Sequence, residues 1–141
     1  PVVFEALTDW TTNSDDLIKY YSGTAVYKSS FKLDAAPDGN HILIDLGDFV
    51  AMARVKVNGQ DAGGLWTAPY TLDITDLVKA GDNEVEIEVV NTWLNRLIGD
   101  LNLPEAKRTT WAAINSWKAD SPLQKAGLFG PVVIESVDYA E

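Results

Sequence analysis

Trp93, Asn95, Arg96 and Asp100 crowd into one stretch, VNTWLNRLIGD, directly after a strictly alternating run, EVEIEVV. Trp111 and Trp117 follow soon after. An indole offers a broad apolar face and one N–H donor, which suits the apolar face of a pyranose ring. Amide, guanidinium and carboxylate neighbours carry the donors and acceptors that orient sugar hydroxyls. Trp93, Asn95, Arg96, Asp100, Trp111 and Trp117 are therefore the carbohydrate-binding candidates. The same residues support a plainer reading. On a helix, Arg96 and Asp100 stand four apart and pair across one turn, which locks a fold rather than recognising a ligand. Loop tryptophans also cap the open ends of a sandwich, where strand residues do not reach. The residue types favour the lock for Arg96 and Asp100 and leave Trp93 and Asn95 undecided.

Other chemistries find little support. His41 is the single histidine, which argues against a catalytic triad and a histidine-based metal site. There is no cysteine, so no disulfide, zinc–thiolate site or thiol nucleophile exists. A glycosidase needs two carboxylates about 5–10 Å apart across a cleft. Asp100 and Glu105 flank the aromatic segment and are the best pair, but no catalytic residue is assigned and the chain by itself is not expected to be an enzyme. Asp9, Asp15, Asp16, Glu135 and Asp138 would gather near the joined termini of a jelly roll and suit a structural calcium ion. None of their spacings forms an EF-hand loop, so a solvated acidic rim is favoured, with no cofactor and no metal site.

Charge narrows the partners. The 141 residues carry 21 acids against 11 bases, a formal net charge of −10. Such a surface repels phosphate backbones and anionic membranes, so neither nucleic acid nor membrane insertion is expected. No apolar run approaches the length of a membrane span. The chain opens PVVFEA, with neither Met nor a leader, and reads as a mature or excised piece.

The elements that must position these side chains are mostly strands. Residues 1–23 are irregular, with one helical turn in NSDDLIKYY capped by Ser14. From Thr24 the period is two: Ala25, Tyr27, Ser29, Phe31 and Leu33 share one face, opposite Lys28, Ser30 and Lys32. Ile42, Ile44 and Leu46 alternate in HILIDLG, and Val55 and Val57 in ARVKV. Asn58-Gly59 supplies the positive backbone angles of a two-residue hairpin turn. LWTAPYTLDIT continues extended, with Pro69 at an edge or a strand start. DLVKAGDN is a helical turn closed by Gly81. Val85, Ile87 and Val89 then point inward and Glu84, Glu86 and Glu88 outward, which makes the glutamate face a wetted sheet surface. Residues 92–130 are the least regular. There TWLNRLIGD predicts a short helix, with Thr92 as N-cap, Gly99 as its stop and Leu94, Leu97 and Ile98 on a buried face. GPVVIESVDY closes the chain as a last strand. Short strands joined by turns, without βαβ spacing, predict one all-β domain over 1–141: an antiparallel β-sandwich of jelly-roll type with its termini together.

Residues 8–136 also carry a resemblance. YYSGTAVYKSSF, VKVNGQDAGGLWTAPYTLDITDLVKAGDNEVEIEVVNTW and LNRLIGD, in this order, resemble the sugar-binding-type sandwich of multidomain glycoside hydrolases. Family 2 enzymes carry a similar sandwich, and the pattern is most similar to the C-terminal domain of bacterial family 106 α-L-rhamnosidases. The resemblance implies a galactose-binding-domain-like jelly roll and a non-catalytic accessory role. It implies as partners the catalytic domain of a parent glycosidase and a plant or microbial polysaccharide. It also implies a secreted, periplasmic or cell-surface location. The alternative is a purely structural interaction domain with no sugar affinity, because function rests on the site and not on the fold.

Overall fold

The alternating segments fold as antiparallel strands. The computed structural model describes residues 2–138. Its strands are β1 (Thr24–Leu33), β2 (His41–Asp45), β3 (Asp48–Val50), β4 (Met52–Val57), β5 (Gln60–Leu65), β6 (Thr71–Asp73), β7 (Gly81–Val90), β8 (Gly127–Gly130) and β9 (Val133–Val137). Helix α1 (Asp16–Lys19) precedes them, and helix α2 (Leu94–Leu101) lies between β7 and β8. One sheet runs β1-β7-β4-β5, the other β6-β2-β9, and β3 and β8 form a short ribbon. Among the described residues the strands pair antiparallel, with one isolated parallel bridge between Gly47 and Gly130, and neighbours in a sheet are mostly distant in sequence. This is the jelly-roll sandwich the patterning predicts.

Alternation decides what meets in the middle. Val55, Val57, Val85, Ile87 and Val89 from the first sheet pack against Ile42 and Ile44 from the second, with Leu46, Phe49, Ile74 and Leu128 closing the ends. Glu84, Glu86 and Glu88 lie on the outer face; in the strand register Glu86 stands between Lys28 and Lys56, Glu88 beside Arg54 and Glu84 beside Ser30. Lys28 Nζ sits 2.6 Å from Glu86 Oε1, and Arg54 grips Asp61 through two hydrogen bonds. That face is a solvated charge lattice.

The second layer bends sharply. Gly47 and Gly130 face each other at the point where β2 gives way to β3 and β8 to β9, with φ of 65° and 66°. A Cβ on Gly47 would stand 2.4 Å from the Gly130 carbonyl carbon, so both strands of the ribbon turn only because neither residue has a side chain.

The Asn58-Gly59 turn forms as expected, with φ of 51° and 80°. Asn58 also does what no turn rule foretells: its side-chain amide donates to the Leu77 carbonyl and to Asn83 Oδ1. Asn83 is fully buried and answers with bonds to Lys79 and Gly81. The two asparagines fasten the Thr75–Leu77 3-10 turn to the β4–β5 hairpin.

Some local expectations shift. Asp15, not Ser14, caps α1, because its carboxylate accepts from the Leu17 amide at 2.9 Å. LWTAPYTLDIT is not one extended run: β5 ends at Leu65, and β6 begins only at Thr71 after a turn that contains Pro69. The last strand ends at Val137, and Tyr139 lies outside the described residues. Residues 2–7 and β9 border the same groove, so the two ends of the described chain share one flank.

Candidate functional site

Helix α2 is amphipathic in an unexpected sense. Its most buried residues include Asn95, Gly99 and Asp100 beside Ile98, whereas Leu94 and Leu97 are only half-buried. The predicted caps are also displaced. Trp93 occupies the N-cap without a side-chain bond, and the Thr92 amide is taken by Asn91 Oδ1 at 2.8 Å. Gly99 does not stop the helix; it lies inside it, against Tyr20. A Cβ there would fall 2.6 Å from Tyr20 Cγ, so glycine serves a close approach of helix to ring rather than a left-handed cap.

The buried polar residues of α2 hold the long irregular segment that follows. Asn95 donates through Nδ2 to the Gln124 carbonyl at 2.7 Å and accepts from the Gln124 amide at 2.9 Å, imitating a rung of a β-ladder. Asp100 Oδ2 accepts from the amides and hydroxyls of Thr109 and Thr110, at 2.7–3.1 Å. Its Oδ1 is bound by Arg96, one helical turn back. Asn102 donates to the Ala119 carbonyl at 3.1 Å. Residues 111–118 thus leave the body at Thr110 and return at Ala119, with both ends fixed to the C-terminal end of α2.

The electrostatics of Asp100 follow from this geometry. Burial alone pushes a carboxyl pKa upward. The Thr110 hydroxyl, the Thr109 and Thr110 amides and the Arg96 guanidinium together outweigh that effect and hold it at about 2. The group is therefore a permanent anion at neutral pH and a poor general acid. Arg96 Nε is buried without a hydrogen-bond partner among the described residues, so the arginine is held by one arm of its fork.

The tryptophans divide into two kinds. Trp10 is buried: its Nε1 donates to the Tyr27 hydroxyl at 2.6 Å, and its ring stacks on Tyr27 and meets Tyr21 edge-on. Burial raises the Tyr27 pKa, opposed by its bonds to Leu128 and Trp10. The other four indoles face solvent, with Trp66 68%, Trp93 71%, Trp111 82% and Trp117 42% exposed. Ile114, between the last two, is 89% exposed and was not among the sequence candidates. An exposed isoleucine carries no signal in a sequence; only the excursion of its loop reveals it.

Of the candidate set, the structure brings Asn95, Arg96 and Asp100 together on α2, and it ties Trp111 and Trp117 into the loop those residues anchor. Asn95 and Asp100 are 1% and 2% exposed with their polar atoms engaged by backbone and side chains, so as placed they present no free group to a sugar. Asp100 forms no acid–base pair with Glu105 for the same reason; Glu105 stands exposed in a separate 3-10 turn. His41 Nδ1 lies 2.6 Å from Asp73 Oδ2, tying β2 to β6. The Thr75 hydroxyl and amide, then His41, hold Asp73 at about 2. Asp9 and Asp15, two of the residues weighed for calcium, spend their carboxylates on local turns and on the Ala126 amide. No group of three or more His, Cys, Asp or Glu suited to hold a metal exists among the described residues.

A buried polar lock, an exposed aromatic loop and a jelly-roll frame coincide with a known domain type. The model of the glycosyl hydrolase 2 galactose-binding domain-like family matches residues 7–123. The chain belongs to that family. This galactose-binding-like domain is 36% identical, in an alignment 158 positions long that covers 94% of the chain, to a Formosa agariphila protein named "Putative beta-glucuronidase". A solved rhamnosidase from Novosphingobium sp. PP1Y superposes on it with a TM-score of 0.82, at 42% identity over 89% of the chain. A β-D-glucuronidase of Dictyoglomus thermophilum is similar at 26% identity over 59% of the chain, with a TM-score of 0.53. The domain spans 14%, 12% and 15% of these three proteins. It is thus an accessory-type, galactose-binding-like domain of glycoside hydrolases. Strands β8 and β9 follow the matched region, yet they pair with β3 and β2 and belong to the same sandwich.

Proposed function

We infer that this domain is a non-catalytic module of a secreted, periplasmic or cell-surface glycoside hydrolase of the rhamnosidase-like kind, and that it docks on the catalytic part through residues 111–118. One observation carries this reading. Trp111 and Ile114 are almost fully exposed, while the loop that bears them is clamped at both ends by Asp100 and Asn102. A loop that merely lacked a core would have no reason to be anchored by a buried carboxylate. An apolar tip on a fixed stem is the pattern of an anchor residue that awaits a pocket. The likeness to a rhamnosidase supports the parentage, and the net charge leaves neutral and cationic surfaces as partners.

A second reading has its own support. Four exposed indoles offer stacking faces, so a polysaccharide could be the ligand, with Trp93, Trp111 and Trp117 as platforms. One pair of measurements separates the two. The 141-residue chain is titrated by calorimetry with the separately produced catalytic part, and by Trp fluorescence with rhamnose-containing and glucuronic-acid-containing oligosaccharides. Docking predicts binding to the catalytic part that weakens at least tenfold in Trp111→Ala, with no fluorescence response at millimolar sugar. A saturable sugar response that disappears in the same variant would replace docking with carbohydrate recognition.

A further inference from the structure

The two layers of the sandwich do not match. Sheet β1-β7-β4-β5 has four strands and sheet β6-β2-β9 has three. Gly63 of β5 lies against Leu72 of β6, and β9 lies towards β1. The strand without a counterpart in the facing layer is therefore β1. Burial records the mismatch. On β7 the inward residues Asn83, Val85, Ile87 and Val89 are all buried, as are Ala53, Val55 and Val57 on β4. On β1 none of the inward residues is. Tyr27 and Phe31 are half-covered, and Ser29, cross-strand from buried Val85, is exposed. On β9 the inward positions Ile134 and Ser136 are likewise uncovered or half-covered. Between them lies a mainly apolar groove of about 700 Å³, which residues 2–7 cross without forming a strand.

We propose that this flank is an acceptor site for one extended polypeptide strand, which pairs with the free edge of β9 and lays alternate apolar side chains on the inner face of β1. The occupant is chosen by two features at once. Among the described residues β9 has a strand neighbour on one side only, so its other edge presents backbone donors and acceptors. A five-residue partner, about 17 Å long, satisfies them in the manner of strand addition. The floor is apolar and carries small residues at Ala25 and Ser29; Phe4 already leans on Tyr27 and Leu7 on the core, so alternate side chains of the guest seat over Ala25 and Ser29 and beside Phe31. A sugar chain would meet the edge but not the floor; a lipid would meet the floor but leave the edge unpaired. A second copy fits poorly. Antiparallel pairing of two β9 strands about their centre sets Glu135 against Glu135, between molecules of net charge −10 each. Polypeptide outside the domain is plentiful in the relatives, where the domain is 12–15% of the chain. The inference is independent of the docking loop.

The test uses the 141-residue chain with a seven-residue strand of alternating Thr and Val fused ahead of Pro1 through a short Gly/Ser linker. Residues 2–7 already border the groove, so such a strand reaches it at high effective concentration. A control fusion carries Asp in place of Val. The expected result is that amide exchange of Val133–Val137 slows at least tenfold in the Thr/Val fusion alone, with a higher Tm. Ser29→Phe, and independently Ala25→Leu, should fill the seats and abolish the protection while the unfused variants retain native circular dichroism. Equal exchange in both fusions would overturn the proposal. So would protection that survives both groove-filling variants, or sedimentation showing that the unfused chain already pairs with itself through β9.

Discussion

Trp10 and Trp111 are the same side chain in opposite circumstances, and the contrast separates what this domain keeps for its own stability from what it holds out. Trp10 is sealed between Tyr21 and Tyr27, with its N–H satisfied by a hydroxyl. Trp111 sits at the start of an anchored loop with most of its ring in water. Removing the first opens a cavity and takes away one of the two hydrogen bonds that the Tyr27 hydroxyl accepts; removing the second removes nothing the isolated fold uses. Trp10→Ala should therefore destabilise the chain by about 3–5 kcal/mol, whereas Trp111→Ala should stay within about 0.5 kcal/mol of the parent. Urea unfolding followed by circular dichroism reads both. Comparable losses would erase the distinction.

Asp100 joins the two regions and comes next in size. Asp100→Asn leaves the partly buried Arg96 without its charge partner, an expected cost of about 2–3 kcal/mol. The same change should speed amide exchange at Thr109 and Thr110, while the amides that Asn83 organises remain slow. If the loop amides do not respond, Asp100 is not what holds the aromatic tip in place.

The pH profile sharpens the same point. The folded pKa of Asp100 lies at about 2, below its usual 3.8. A depressed pKa contributes stability that is complete above the unfolded value and lost as pH falls through the folded one. Stability should thus decline by about 2 kcal/mol between pH 4 and pH 2, and Asp100→Asn should flatten that slope. Asp73, also held at about 2, titrates in the same window but is half exposed. Asp73→Asn should leave most of the decline intact.

Among the changes expected to destabilise the fold, Gly99 comes last. An added Cβ meets the root of the Tyr20 side chain, not its flexible tip, so helix and ring must separate. Gly99→Ala should cost about 1–3 kcal/mol despite its better helix propensity. A gain in Tm would show that α2 can slide away from Tyr20 without penalty.

Much of the frame was legible in the residues. Period-two alternation placed β1, β2, β4 and β7 and sorted their faces, because a half-buried strand must alternate. Asn58-Gly59 named its own turn, since asparagine and glycine tolerate positive φ. The helix of TWLNRLIGD and its Arg96–Asp100 pair were also readable, because spacing of four is local. Its caps and its buried face were not. Leu94 and Leu97 looked like the core side, yet Asn95 and Asp100 are deeper. An amide or carboxylate is buried when distant backbone happens to satisfy it, and Gln124, Thr109 and Thr110 are distant.

The sequence alone therefore determined the class of the fold, the net charge and the lack of thiol chemistry, since these depend on composition and nearest-neighbour periodicity. Tertiary structure decided which indole is spent inside and which are presented. It also decided that Asp100 anchors a loop, and that one flank of the sandwich stands a strand short. Each of these turns on which remote segments come to lie side by side, and no local pattern encodes that.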